Sequence, residues 1–313
     1  MLGAQAGAQA ERMTISWKEV QPVVGLRGRP ASHWGPFDHE VAAMQARGIR
    51  PLIMIANAPK WADGLGACTG DHCPPDNAHL DDWRRFAGAV AARYPMAIAI
   101  EIWNAPNTKA WWHTRHGPSA RQYAHVFDAA ARGIHYWNPS MRILFGSVGY
   151  SYRGDIKGGI LSIPTFLKYF YLNVDYTQFR AQDGLSVRAY PMPPEVDTLD
   201  GQFARTMAQV RKARDTYDPS RQIWVTETGV TTTGPNAATE DQQARGDVNA
   251  LRNLQASSDV GGVFIHTLVE PLWNPGTPSE SGFGIVTRGS LQPRPAYCAI
   301  AQLITGAAPA ACP

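Results

Sequence analysis

Short apolar runs recur along the chain at a spacing of roughly forty residues, each ending in polar or Gly/Pro-rich positions and followed by a helical pattern. They begin near positions 10, 51, 98, 142, 184, 222 and 260. Between them, Phe37–Arg47 is amphipathic with Gly48 placed to cap its C-terminus. Asp81–Tyr94 sets Trp83, Phe86, Ala87 and Val90 on one helical face, with Leu80 just ahead of it. Ile163–Leu172 and Pro295–Leu303 read as further helices, the second closing the fold. Strand–helix alternation of this kind predicts βα units on a parallel sheet. A propeller would show four short strands in each period, and a helical solenoid would lack the buried runs.

Seven such units are visible, whereas a (β/α)8 TIM barrel has eight. Residues Met1–Ala10 are too few for a strand and its helix. They read as the last turns of a first helix that runs into Glu11–Trp17, so the first strand is expected to lie outside the sequence. The expectation is an α/β (β/α)8 barrel with its first strand absent or truncated, leaving two sheet edges unpaired. No Pro/Gly/Ser-rich linker interrupts the pattern, and residues 1–313 are expected to form a single domain.

Composition narrows the partners. Hydrophobic residues make up 44% and charged residues 18%, which suits a globular protein with a sizeable core. The net charge of +3 comes from scattered Arg and Lys rather than a basic face, which argues against a nucleic-acid partner. No apolar run approaches the roughly 18 residues of a membrane span. Cys68/Cys73 and Cys298/Cys312 form two local pairs, and loop closure favours pairing near neighbours. Two disulfides point to an oxidising compartment and a secreted or extracytoplasmic protein. The first residues themselves lack the basic and apolar regions of a signal peptide.

Chemistry concentrates at two run ends. Ile98–Asn107 is apolar up to the polar tip Asn104-Ala105-Pro106-Asn107, and Gln222–Gly229 ends with Glu227. A carboxylate closing a buried strand is costly unless it has a task or a partner. In a parallel barrel, catalytic groups project from the C-terminal ends of strands. The segment Trp103-Asn104-Ala105-Pro106-Asn107 closely resembles the Trp-Asn-Glu-Pro-Asn signature of clan A retaining glycoside hydrolases, particularly families 39 and 5. Val225–Gly229 resembles that clan's nucleophile strand.

The resemblance implies a (β/α)8 enzyme that cleaves glycosides by double displacement with no cofactor. It implies Glu227 as nucleophile, and Ala105 at the position of the general acid/base Glu. Asn104 would bond the sugar 2-hydroxyl, and Tyr190 would orient the nucleophile. Arg188 stands where the clan commonly has a His; it could pair with a carboxylate, read an anionic substrate group, or serve a loop salt bridge. Arg12 resembles a clan arginine near the nucleophile and has Glu101 as an alternative partner. Glu101 lies several residues below the tip and is a poor surrogate acid.

Tryptophans just beyond strand ends suit carbohydrate subsites, because sugar C–H faces stack on aromatic rings. Trp17, Trp61, Trp111, Trp112 and, above all, Trp273 are candidates, with His266 facing either pocket or core. Asp71, His72, His113 and His116 are too loosely spaced for a metal site. The expected partner is a carbohydrate, bound by a monomer. With Ala105 in place, the chain reads as an acid/base Glu-to-Ala form of a hydrolase. The alternative is a non-catalytic carbohydrate-binding protein on a degenerate barrel.

Overall fold

A computed structural model describes residues 2–24, 31–64, 68, 70–150, 159–272, 277 and 280–312. Its strands are β1 (Ala10–Ser16), β2 (Arg50–Ala56), β3 (Ala99–Asn104), β4 (Ile143–Val148), β5 (Gly184–Arg188), β6 (Gln222–Thr228) and β7 (Val260–Ile265). They follow one another in the sheet in the order of the sequence. The pairs β1–β2, β2–β3, β3–β4 and β6–β7 are parallel. The helices are α1 (Leu2–Gln5), α2 (Trp17–Val20), α3 (Gly35–Gln45), α4 (Leu80–Arg93), α5 (Ala120–Trp137), α6 (Ile163–Tyr171), α7 (Gln202–Tyr217), α8 (Glu240–Gln255) and α9 (Pro295–Thr305). The chain therefore has the α/β class expected of a (β/α)8 fold without its first strand. The short α1 ahead of β1 occupies the segment read as the end of a first helix.

The chain forms two compact units. One holds residues 10–186 and 209–222, the other residues 1–9, 187–208 and 223–313. In the first, β2, β3 and β4 are buried on both faces, except for the exposed Arg50 that opens β2, which is why they read as apolar runs rather than alternating ones. Helices α4 and α5 pack backbone to backbone, because a Cβ on Gly133 would lie 2.0 Å from the Arg84 carbonyl oxygen. The Cys68–Cys73 disulfide closes part of the loop after β2. In the second unit α9 packs on α8, with Tyr297, Ile300, Ala301 and Leu251 in a common core. The Cys298–Cys312 disulfide ties the C-terminal segment to α9. Both pairings are those expected from proximity. Among the described residues no helix is long and apolar enough to cross a membrane.

Candidate active site

The first unit presents the tip of β3. Trp103 and Ala105 hold φ at 76° and 40°, left-handed backbone that is uncommon outside glycine. Such conformations persist only where the surroundings over-determine them, and they cluster at functional sites. Here the surroundings are specific. The Ala105 N–H donates to the Ser147 carbonyl at 2.9 Å, and the Ala105 carbonyl accepts from both the Thr108 N–H and its hydroxyl. The buried Trp103 indole donates to the Trp111 carbonyl at 2.6 Å and packs edge-on against Trp83 and Trp112. The buried Asn107 amide bonds the Gly149 carbonyl and N–H and the Leu161 carbonyl, tying the tip to the loop after β4.

Beneath the tip, Arg12 on β1 donates to Glu101 at 2.7 Å and to Asn104 Oδ1 at 3.1 Å. Glu101 is fully buried and ion-paired, so its position is that of a structural counter-charge rather than an acid at the tip. With Oδ1 held by Arg12, the Asn104 amide nitrogen makes no hydrogen bond to any described residue. It is a donor already turned away from the ion pair.

The expectation that Trp17 offers a sugar platform is corrected. The chain turns into α2 directly at Trp17, and the ring is fully buried against Trp61, Trp83 and Phe86. Its indole N–H is satisfied by Gln21. Trp112 is likewise fully buried. Trp61 and Trp111 keep partial exposure, Trp61 edge-on to Trp17 and His79, Trp111 over His72 at 4.1 Å. His72 bonds Asn57, and its backbone N–H donates to His113 Nδ1 at 3.2 Å. Burial, and next the neighbouring His113, push the His72 ring below the ordinary histidine range. Among the described residues no three His, Cys, Asp or Glu side chains gather as metal ligands do. Trp273 lies outside the described residues.

The second unit presents the end of β6. Glu227 is 6% exposed, and the Tyr190 hydroxyl donates to its Oε2 at 2.6 Å. The Arg188 guanidinium stands 3.7 Å from the same oxygen. One hydrogen bond and one nearby positive charge thus act on the same carboxylate oxygen. Burial first, and then the charge of Glu227, push the Tyr190 phenol well above its ordinary range, so it remains a donor at any working pH. The Ala189 N–H donates to the Glu227 carbonyl, which joins the two segments through the backbone as well. Gly229 is required by close approach, since a Cβ there would lie 2.4 Å from the His266 carbonyl oxygen.

His266, after β7, faces Tyr190 and Phe283 with its ring and bonds Glu280 at 3.1 Å. Phe283 also packs on Tyr190 at 5.2 Å. Glu280 and Phe283 carry no local signal in the sequence that would place them beside His266. The turn that carries them is held by the Thr232 N–H and the Gln243 amide, both donating to the Gly282 carbonyl. Chemically, the two units offer an oriented strand-end carboxylate and a strained tip with an available amide donor.

No protein-family model matches the sequence, and a search of curated proteins finds no match. Solved structures do resemble it. A family 39 glycoside hydrolase from Bacteroides cellulosilyticus WH2 superposes with a TM-score of 0.71 at 20% identity, over 97% of this chain and 59% of that one. A monomeric beta-xylosidase from Caulobacter crescentus CB15 gives 0.68 at 18% identity, over 96% and 62%. The endoglucanase Cel5A from the hyperthermophilic Thermotoga maritima gives 0.59 at 13% identity, over 95% and 86%. The chain thus spans about three-fifths of the length of the first two. What it shares with these glycoside hydrolases is the fold.

Proposed function

We propose that the chain is a retaining O-glycoside hydrolase acting on a poly- or oligosaccharide or simple glycoside, in a form that lacks its acid/base. The observation that carries this reading is the buried carboxylate of Glu227, oriented by Tyr190 at 2.6 Å and flanked by Arg188. In the proposed reaction Glu227 attacks the anomeric carbon as the glycosidic C–O bond breaks, giving a covalent glycosyl-enzyme. The leaving oxygen takes its proton from the residue at position 105, and water later attacks after giving a proton back to that residue. Alanine does neither. The Asn104 amide nitrogen donates to the sugar 2-hydroxyl, a bond that strengthens as oxocarbenium character develops. His266, Trp61 and Trp273 contribute to the sugar subsites. The chain acts as one catalytic domain, a monomer outside the cytoplasm, consistent with its two disulfides. Names of similar structures, a beta-xylosidase and an endoglucanase, direct the first substrates to β-xylosides and β-glucosides.

Ala105 itself favours a second reading, a carbohydrate-binding protein that never hydrolyses. Ala105→Glu separates the two. General acid–base assistance is worth about 10² to 10⁴ in rate, so this variant is expected to raise turnover of an unactivated glycoside by that factor. A variant that binds glycans yet stays inert with Glu at this position would establish the binding protein instead.

A further inference from the structure

A groove of about 800 Å³ opens on the helical layer of the first unit, between α4 and α5 and the loop carrying Trp34. Its lining runs along α4 from Arg84 to Arg93 and takes Gly133, Tyr136 and Trp137 from the C-terminal end of α5, with no residue of the β3 tip among them. The groove is therefore separate from the site described above, and its size falls in the range of ligand clefts.

Its walls combine two kinds of group. Tyr136 and Trp137 are 74% and 61% exposed, edge to face at 5.4 Å. Such exposure is costly for two adjacent large rings without a purpose. Trp137 is also held in place: a Cβ on Gly88 would lie 2.7 Å from its Cδ1, so the indole rests on the glycine of α4. Trp34 carries the Arg93 guanidinium over its face at 5.3 Å.

The charges balance. Arg93 is forked onto Asp38, Arg84 pairs with Asp81 at 2.7 Å, and Arg85 pairs with Asp82 and Asp81. An anionic ligand, a lipid headgroup or a nucleic acid would need uncompensated cations, and these are neutralised. No Leu, Ile, Val or Met is among the lining residues, so the groove offers flat stacking faces and planar polar groups rather than an aliphatic seat. Rigid aromatic faces beside paired, planar hydrogen-bonding groups suit a chain of hydroxyls with apolar C–H faces.

We propose that this groove is a second carbohydrate-binding site, for a neutral polysaccharide, with Trp137 and Tyr136 as its stacking platform and the Arg–Asp pairs as its hydroxyl partners. It holds a polymer to the protein without taking part in bond cleavage.

Native gel electrophoresis in gels containing arabinoxylan, glucomannan or hydroxyethyl cellulose, with polygalacturonate as an anionic control, tests this. At least one neutral polymer is expected to retard the protein. Tyr136→Ala and Trp137→Ala should each raise the dissociation constant by about tenfold or more, while melting temperature and covalent labelling by an aryl glycoside stay unchanged. Tyr136 is so exposed that its variant folds independently of the outcome for Trp137. Retardation equal in parent and variants, absent with every neutral polymer, or seen only with polygalacturonate would overturn the proposal. So would a dimer in sedimentation that Trp137→Ala dissolves, which would make this face an interface between copies. None of these results bears on Glu227, so failure here is distinct from failure of the hydrolase reading.

Discussion

Asp247→Asn tests the electrostatics of the unit that carries Glu227. Asp247 on α8 is 1% exposed; its Oδ1 accepts the Val230 N–H at 2.9 Å, three residues beyond Glu227, and its Oδ2 has no hydrogen-bond partner. Burial pushes the carboxyl well above the ordinary range. An unfolded Asp titrates near 3.9, so folding takes up a proton as pH rises above that value. The stability this group contributes is complete below about pH 4 and is lost as pH rises toward its folded value, by about 1.4 kcal/mol per pH unit. Asparagine carries no such linkage. It keeps the acceptor for Val230 and supplies a donor one helical turn from the buried, unpartnered Oε1 of Gln243. The variant should match the parent within about 1 kcal/mol at pH 4, and its advantage should grow as pH rises toward the folded value of the parent carboxyl. Urea unfolding from pH 4 to 8, read as midpoint shifts at constant slope, measures the difference. Asp128 and Asp183, both raised to about 6 chiefly by burial, titrate in parent and variant alike and cancel. A difference that does not grow with pH would refute the reasoning.

Two further predictions concern the site and its frame. Tyr190→Phe removes the hydrogen bond that orients Glu227. Loss of a bond to a charged group should cost about 1.5–3 kcal/mol of stability, and formation of the glycosyl-enzyme should slow by roughly 10- to 100-fold through lost positioning. Stopped-flow release of dinitrophenolate reads it, and an unchanged rate would remove Tyr190 from the machinery. Cys298→Ser opens a loop of 14 residues and should cost about 3 kcal/mol, whereas Cys68→Ser opens a shorter one and should cost about 2 kcal/mol. Urea midpoints give both values, and the reverse order would contradict the loop-closure account.

Much of the fold was legible because β2 to β6 are buried along nearly their whole length. A run such as Ile98–Ile102 has no amphipathic ambiguity, and all seven strands lie within a residue or two of the positions read from the sequence. The disulfides followed from proximity along the chain. Glu227, Tyr190 and Arg188 were legible as strand-end polar groups, and Glu101 as one of two possible partners of Arg12, the structure showing that bond. What the sequence hides is orientation. A tryptophan after a strand end carries the same signal whether it faces solvent or core, and only the immediate turn into α2 shows that Trp17 goes inward. Glu280 and Phe283 are brought to His266 by a turn whose anchors, Thr232 and Gln243, lie about forty to fifty residues away in sequence, a coupling no local pattern records.

The central claim is that Glu227 is the nucleophile of a retaining glycosidase. Dinitrophenyl β-xyloside and β-glucoside need little protonation of the leaving group, so they should react with the chain although position 105 is alanine. Deglycosylation lacks its base, and the covalent intermediate should accumulate. Proteolysis and mass mapping of the trapped protein measures where it sits. The account predicts a single glycosylated peptide carrying the sugar on Glu227, and, with azide added, a glycosyl azide of retained configuration. A sugar on any other residue, or an azide of inverted configuration with Glu227 intact, would contradict it.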